Sequence, residues 1–309
     1  MMNKNYQVYV GTYTNTKSKG IYTFKYSDGK INHLKLLKEI DNPKYLCMVG
    51  EYIAAVCDFE NDSGVLLIDS YGNTIDKLSY EKSASCYIGY QNNYLYTANY
   101  HEGSINIINI NNDKLSHHKT IKIKDQAGCH QVYFFKDYFL VPCLLLDKII
   151  VFDANFNIHQ EILLPKNSGP RHIVDVDDYL YVVGELNNIL YIYNNKLELI
   201  NKINILNGVN NIGGSAAIRY YDHHLYVSTR DQNVISVFKL NQEKISLVQV
   251  VSTDGKHPRD FMIIDNHLLA LNRLSDNMTV FKLNNGLITQ QINKINIPEG
   301  IAIIAKEEK

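Results

Sequence analysis

The sequence predicts an all-β fold, a seven-bladed β-propeller of four-stranded antiparallel blades. Three observations predict it. Short stretches of period-2 alternation, broken by Gly, Asn, Asp and Pro, run the whole length of the chain, and no long helical pattern interrupts them. A unit of apolar strand, tight turn, second strand, polar corner, third strand and looser fourth strand recurs at steps of 41 to 45 residues, which is the period of a propeller blade. Finally, the two ends of the chain each hold part of one unit.

The unit is clearest in the second half. "PRHIVDVDDYLYVVGELNNILYIYNNKLELINKINI" begins at Pro170, "SAAIRYYDHHLYVSTRDQNVISVFKLNQEKISLVQVV" at Ser215 and "PRDFMIIDNHLLALNRLSDNMTVFKLNNGLITQQINKI" at Pro258. The same frame runs back through "CHQVYFFKDYFLVPCLLLDKIIVFD", "SCYIGYQNNYLYTANYHEGSINIINI" and "PKYLCMVGEYIAAVCDFENDSGVLLID". Equivalent positions at the start of the first strand are then Lys44, Cys86, His130, Arg171, Ala216 and Arg259. At roughly 44 residues per blade the chain holds about seven. The N-terminal "QVYVGTYTNTKSKGIYTFKYSDGKINHLKLLKEI" supplies the second, third and fourth strands of a blade but lacks the first. The C-terminal "EGIAIIAKEEK" is a lone apolar strand in first-strand register, with Gly300 one step beyond Arg259. Pairing the two closes the ring, satisfies open strand edges and makes residues 1–309 a single domain.

Composition narrows the function. A formal net charge of −1 over 309 residues argues against nucleic acid or an anionic membrane as partner. The start "MMNKNYQVYVGTYT" has no apolar leader core, and no stretch approaches the ~18 apolar residues of a membrane span. Five cysteines, an odd number without C-x-x-C spacing, predict a reduced, cytoplasmic protein. The absence of Trp counts against WD-type repeats. No feature specifies an oligomeric state.

In a propeller the first strand of each blade lines the central channel and the second runs antiparallel to it, so the start of one and the end of the other share a face. In "SGPRHIVDVDDYLYVVGEL" this brings Arg171 and Glu185 together. The ends of the second strands are Tyr13, Asp58, Tyr100, Leu144, Glu185, Arg230 and Arg273, and the starts of the first strands run from Lys44 to Gly300. Together these positions carry four arginines, one lysine, one histidine and two carboxylates. Charge concentrated on an apolar scaffold predicts a pocket for a small anionic ligand.

At these residues the chain resembles the lactonase family of seven-bladed propellers, which includes bacterial 6-phosphogluconolactonases and fungal carboxymuconate cyclase. The matching stretches are "YVGTYTNTKSKGIYTFKY", "LYTANYHEGSI", "GPRHIV…YLYVVGELNN", "SAAIRYYDHHLYVSTRDQNVISVF", "HPRDFMIIDNHLLALNRLSDNMTVF" and "PEGIAII". The resemblance implies an active site of His130, Arg171, Glu185 and Arg230. Three departures stand beside it: Gly128 replaces a second histidine, "CLLLD" keeps only Asp147 of a D-L-G-x-D run, and "STR" replaces S-N-R.

As an enzyme of this kind the chain would open a sugar lactone, 6-phosphogluconolactone foremost, without cofactor or metal. His130 is one candidate base for water. Glu185 is the other, unless Arg171 and Arg230 hold it ionised. Arginines would stabilise the acyl oxyanion, and Lys44, Arg259 and Arg273 would hold a phosphate or carboxylate. A muconate-type cyclase would bind a dicarboxylate in the same place, and a non-catalytic propeller would bind an anion or peptide there. A metal-dependent lactonase would need more carboxylates than Asp58 and Glu185.

Other residues read as structural. His117–His118 and His223–His224 are expected to be solvent-exposed, since side chains one apart on a strand diverge. For the same reason His172 is expected to point away from the channel, into the packing between blades. Asp147 is expected to cap a turn through backbone N–H groups. The stretch "GTYTNTKSKG" lacks the helix and ending of a phosphate loop and reads as a polar corner.

Overall fold

Alternating apolar residues build strands wherever the repeat places them. In the computed structural model, which describes residues 4–208, 212–241 and 244–308, the described residues form 28 strands in seven four-stranded sheets. Met1 to Asn3, at the head of the stretch read for a leader, lie outside these residues.

One sheet joins β1 (Tyr6–Thr12), β2 (Gly20–Ser27) and β3 (Lys30–Glu39) to the last strand of the chain, β28 (Gly300–Glu307), in the order β28-β1-β2-β3. The next holds β4 (Asp41–Val49), β5 (Tyr52–Asp58), β6 (Ser63–Ile68) and β7 (Thr74–Glu81). It is followed by β8 (Tyr87–Gln91), β9 (Tyr94–Asn99), β10 (Ser104–Asn111) and β11 (Lys114–Lys122). The fourth has β12 (Tyr133–Phe135), β13 (Tyr138–Cys143), β14 (Lys148–Phe152) and β15 (Ile158–Leu163). The fifth has β16 (Pro170–Val176), β17 (Tyr179–Gly184), β18 (Ile189–Tyr193) and β19 (Leu199–Asn204). The sixth has β20 (Ser215–Tyr221), β21 (His224–Thr229), β22 (Val234–Asn241) and β23 (Lys244–Ser252). The seventh has β24 (Pro258–Ile264), β25 (His267–Asn272), β26 (Asn277–Asn284) and β27 (Leu287–Asn296). This is the strand order of a seven-bladed β-propeller, with β28 completing the blade that the N-terminus begins.

The chain packs as two compact units. The first is Met1–Val132 with Asp276–Met278 and Ile295–Lys309; the second is Tyr133–Ser275 with Thr279–Lys294. Within each, blades pack face to face. In the first, Ala54, Val56 and Val65 meet Ile88, Leu95 and Ile108. In the second, Ala217, Tyr226 and Val237 meet Phe261, Leu268 and Phe281. Middle strands covered on both sides read as unbroken apolar runs, as in β6, whereas the outermost β23 alternates exposed with half-buried residues. Each such buried Leu, Ile or Val contributes roughly 1.5–3 kcal/mol. Hairpin turns take residues that tolerate positive φ, such as Asn92 (51°) with Asn93 (63°).

A repeated corner fixes where four of the first strands begin, β16, β20, β24 and β28. An Asx residue in left-handed conformation, Asp147, Asn188, Asn233 or Asp276, stands just before or at the start of a third strand. Its side chain accepts the N–H that opens the next first strand. Asp147 takes Gly169 at 2.9 Å, Asn188 takes Ser215 at 3.0 Å, Asn233 takes His257 at 2.7 Å and Asp276 takes Glu299 at 3.1 Å. Asp147 also takes Asn167 N–H at 2.8 Å, so it caps the turn as expected. The residue preceding each first strand has positive φ: Gly169 59°, Gly214 110°, His257 65° and Glu299 51°. Its carbonyl accepts the N–H of the residue that follows the second strand, namely Glu185, Arg230, Arg273 and Tyr13 respectively.

Some expectations change. Pairing puts Gly300 opposite Thr12 as Pro258 lies opposite Asn272, so Ile301, not Gly300, stands where Arg259 does. His130 and Cys86 lie just outside β12 and β8 rather than at their first residues. His224 is buried, its Nδ1 2.5 Å from the Asp222 carbonyl, because the adjacent turn folds the ring inward; His117, His118 and His223 are exposed.

Candidate functional site

The site is built from the corners of the second unit. Register slips between Pro170 and Ile173 on β16, and between Pro258 and Asp260 on β24. Such bulges interrupt alternation and re-aim side chains. At the first of them Arg171 Nη1 lies 3.1 Å from His172 Nδ1, and both residues are buried.

Glu185 follows β17 directly and anchors the cluster. Its Oε2 is 2.9 Å from Arg171 Nε and its Oε1 is 2.8 Å from Arg230 Nη2. Arg171 donates Nη1–H to the Ala216 carbonyl at 2.7 Å, which ties two neighbouring blades together. The Arg171 side chain is 3% exposed, against 15% for Arg230, so Arg171 faces protein while Arg230 keeps a face open. Arg230 Nε–H donates to the Gly214 carbonyl at 3.1 Å, which fixes the plane of the guanidinium. Burial on its own would raise the Glu185 pKa; the charges of Arg230 and Arg171, the Arg230 hydrogen bond and the charge of Arg259 outweigh it and hold the carboxyl below its ordinary value. Glu185 is therefore a fixed anion that orients arginines, and a poor acceptor for a proton from water.

His257 was not singled out by the sequence reading. Burial and the charges of Arg230, Arg259 and Arg273 push its pKa down to about 4, so it is neutral at neutral pH. Its Nδ1 is buried and makes no hydrogen bond among the described residues. The available signal was the repeat itself: "HPR" stands where "GPR" does, with histidine in the place of Gly169. Arg259 and Arg273 thus share one electrostatic cluster with Arg171, Glu185, Arg230 and His257. Ala216 contributes only its carbonyl, and Leu144 is buried and apolar.

The predicted residues of the first unit are placed differently. His130 is 4% exposed, its ring set edge-on to Tyr100 at 6.1 Å between centroids. Lys44 Nζ donates to the Ala84 carbonyl at 3.2 Å. Asp58 accepts from Ser63 Oγ at 2.6 Å, Asn42 Nδ2 at 2.8 Å and Ala84 N–H at 3.1 Å, which makes it a corner brace. All five cysteines are free thiols. Among the described residues no group of three His, Cys, Asp or Glu side chains converges on a metal position, and no helix is long and apolar enough to cross a membrane.

Seven four-stranded antiparallel blades define a β-propeller. The model of the family "Lactonase, 7-bladed beta-propeller" matches residues 7–305, and the chain belongs to that family. It is 28% identical to an uncharacterized protein of Staphylococcus saprophyticus, over 96% of this chain and 97% of that one. Among solved structures it is similar to a Lactobacillus plantarum protein (24% identity, TM-score 0.89, 99% of this chain and 100% of that one). It is also similar to a "putative 6-phosphogluconolactonase" of Bacteroides fragilis (24% identity, TM-score 0.85, 98% of each chain). A Pseudomonas aeruginosa periplasmic gluconolactonase aligns at 20% identity and TM-score 0.86, over 97% of this chain and 99% of that one. At these identities the structural likeness speaks for the fold alone.

Proposed function

We propose that this protein hydrolyses a sugar lactone bearing an anionic group, with 6-phosphogluconolactone, opened to 6-phosphogluconate, as the first substrate to test. The observation that carries the reading is the Arg171–Glu185–Arg230 ion cluster with Arg259 and Arg273 in its field. The family, and the names of two of the structural neighbours, support the choice of lactone chemistry.

Lactone opening needs charge stabilisation where the carbonyl oxygen becomes an oxyanion. Arg230 is suited to this: Glu185 and Gly214 hold it rigid, and its side chain stays 15% exposed. Preorganised donors of this kind contribute the most to acyl-transfer rates. Arg171 is a positioning residue that acts through Glu185. Arg259 and Arg273 would receive the substrate's phosphate. The water oxygen bonds to the carbonyl carbon, the ring C–O bond breaks, and the departing oxygen takes a proton. His130 enters this machinery on the family resemblance, as the acceptor of the water's proton. Lys44 stays a candidate anion contact on the sequence pattern alone.

The test is hydrolysis of 6-phosphogluconolactone followed above its spontaneous rate, with gluconolactone and a muconate lactone alongside. Turnover of the muconate compound alone would favour the cyclase reading. Binding without turnover of any lactone would leave a ligand-binding propeller.

A further inference from the structure

We propose that His257 is a further substrate-contacting residue, one that hydrogen-bonds the phosphate-type oxyanion held by Arg259 and Arg273. This rests on the anionic-substrate reading of the same site and adds a residue that neither the motifs nor the family resemblance assigned.

The first support is positional. His257 sits at the corner position with φ of 65°, which its two neighbours in the second unit fill with Gly169 and Gly214. Left-handed backbone is costly for a residue with a Cβ, and glycine relieves that cost. At Gly169 a Cβ would lie 2.6 Å from the Leu186 side chain, and at Gly214 it would lie 3.0 Å from the Asp231 carboxylate. Of these three corners in the second unit, the His257 corner carries a side chain, and that side chain is an imidazole. Its backbone is pinned on both sides, the N–H to Asn233 Oδ1 at 2.7 Å and the carbonyl to Arg273 N–H at 3.1 Å. An outlier held this firmly is a pointer to function.

The second support is what surrounds the ring. The charged groups whose fields act on the ring are Arg230 after β21, Arg259 on β24 and Arg273 after β25, and Arg230 is paired to Glu185. Nothing among the described residues accepts or donates a hydrogen bond at Nδ1. Burial first, and then the charges of Arg230, Arg259 and Arg273, keep the ring neutral at neutral pH. An oxyanion seated beside Arg259 and Arg273 offsets part of that positive field and gives the imidazole proton a partner. His257 then gains a proton and donates it to the anion as a charge-assisted hydrogen bond. By linkage, the anion must bind more tightly as pH falls.

Sulfate tests this, because it resembles a phosphate ester and does not titrate between pH 5 and 8. Calorimetry at pH 5.5 in two buffers of different protonation enthalpy should show uptake of roughly 0.5–1 proton per sulfate. Affinity should rise about tenfold from pH 7.5 to 5.5. In His257→Gly and His257→Asn the uptake should vanish and the affinity should become flat with pH. The glycine variant should melt no lower than the parent, since its backbone is relaxed at this corner. Absence of sulfate binding, absence of proton uptake, or uptake that survives both substitutions would each overturn the proposal. Lactone turnover is measured separately: a protein that takes up sulfate and a proton but opens no lactone refutes the proposed reaction and leaves the His257 contact standing.

Discussion

Glu299 in the first unit and His257 in the second occupy the same place in their blades, and they use it in opposite ways. Each precedes a first strand, each has positive φ, and each is latched by an Asx side chain. The Glu299 carboxylate accepts N–H groups from Asn15, Thr16, Lys17 and Ser18 at 2.9–3.2 Å. Those donors belong to the chain's own corner, so the carboxylate is consumed in holding β28 against the N-terminal blade. His257 instead lies in the field of the Arg230, Arg259 and Arg273 guanidinium groups, and its Nδ1 makes no hydrogen bond among the described residues. One backbone position thus carries a carboxylate bound by backbone donors in one unit and an imidazole in a field of cations in the other.

The largest effect expected from this contrast is on the closure side. Deleting residues 300–309 removes β28 and uncovers β1, whose Val8, Tyr9 and Val10 are fully or almost fully buried. The truncated chain is expected to lose cooperative unfolding by circular dichroism; a melt like that of the full chain would refute closure by this strand. On the chemical side, Arg230→Ala should lower kcat/KM by about 10²–10³ while the melting curve shifts far less than the truncation shifts it, as for loss of one oxyanion donor. An activity assay showing less than a threefold loss would move the chemistry away from this corner.

Next comes Glu299→Ala, which strands four N–H donors. It should cost about 2–3 kcal/mol of stability by chemical denaturation, with kcat/KM at 25 °C within twofold of the parent. A matching fall in activity would mean that the two corners do not divide the work. The Glu299 pKa is held below its ordinary value: burial alone would raise it, and the N–H groups of Lys17, Ser18 and Thr16 outweigh that. Its contribution is therefore present above the unfolded-state pKa and lost as pH falls through the folded value, so Glu299→Gln should flatten stability on the acid side of about pH 4.5.

The smallest effect is the pH signature of His257. Its folded pKa of about 4 lies below the ordinary 6.5, so the unfolded state binds the proton first. Stability then declines as pH falls from 6.5 towards 4. His257→Gly should remove that slope in denaturant titrations, and an unchanged slope would show the ring to be solvated rather than ringed by arginines.

Much of the fold was legible because blade periodicity is local. Alternation marks a strand, Asn and Asp mark its turn, and a step of 41 to 45 residues carries one blade into the next. The pairing of β28 with β1 followed from two incomplete units. Arg171, Glu185 and Arg230 were found because antiparallel strands return their ends to one another. The readings that changed lie where local rules stop. A one-residue slip displaced Gly300, and a folded-back turn buried His224.

By itself, then, the amino-acid order determined the strands, their count, the closing pair and the charges at the corners, since each depends on spacing along the chain. Tertiary structure alone decided which charges neutralise which. Glu185 became a fixed anion between two arginines, Asp58 a brace, Lys44 a donor to a carbonyl, and His257 a neutral ring among cations. Those outcomes depend on burial and on distances of a few ångströms between residues far apart in sequence, where the Coulomb energy is steep and spacing along the chain carries no information.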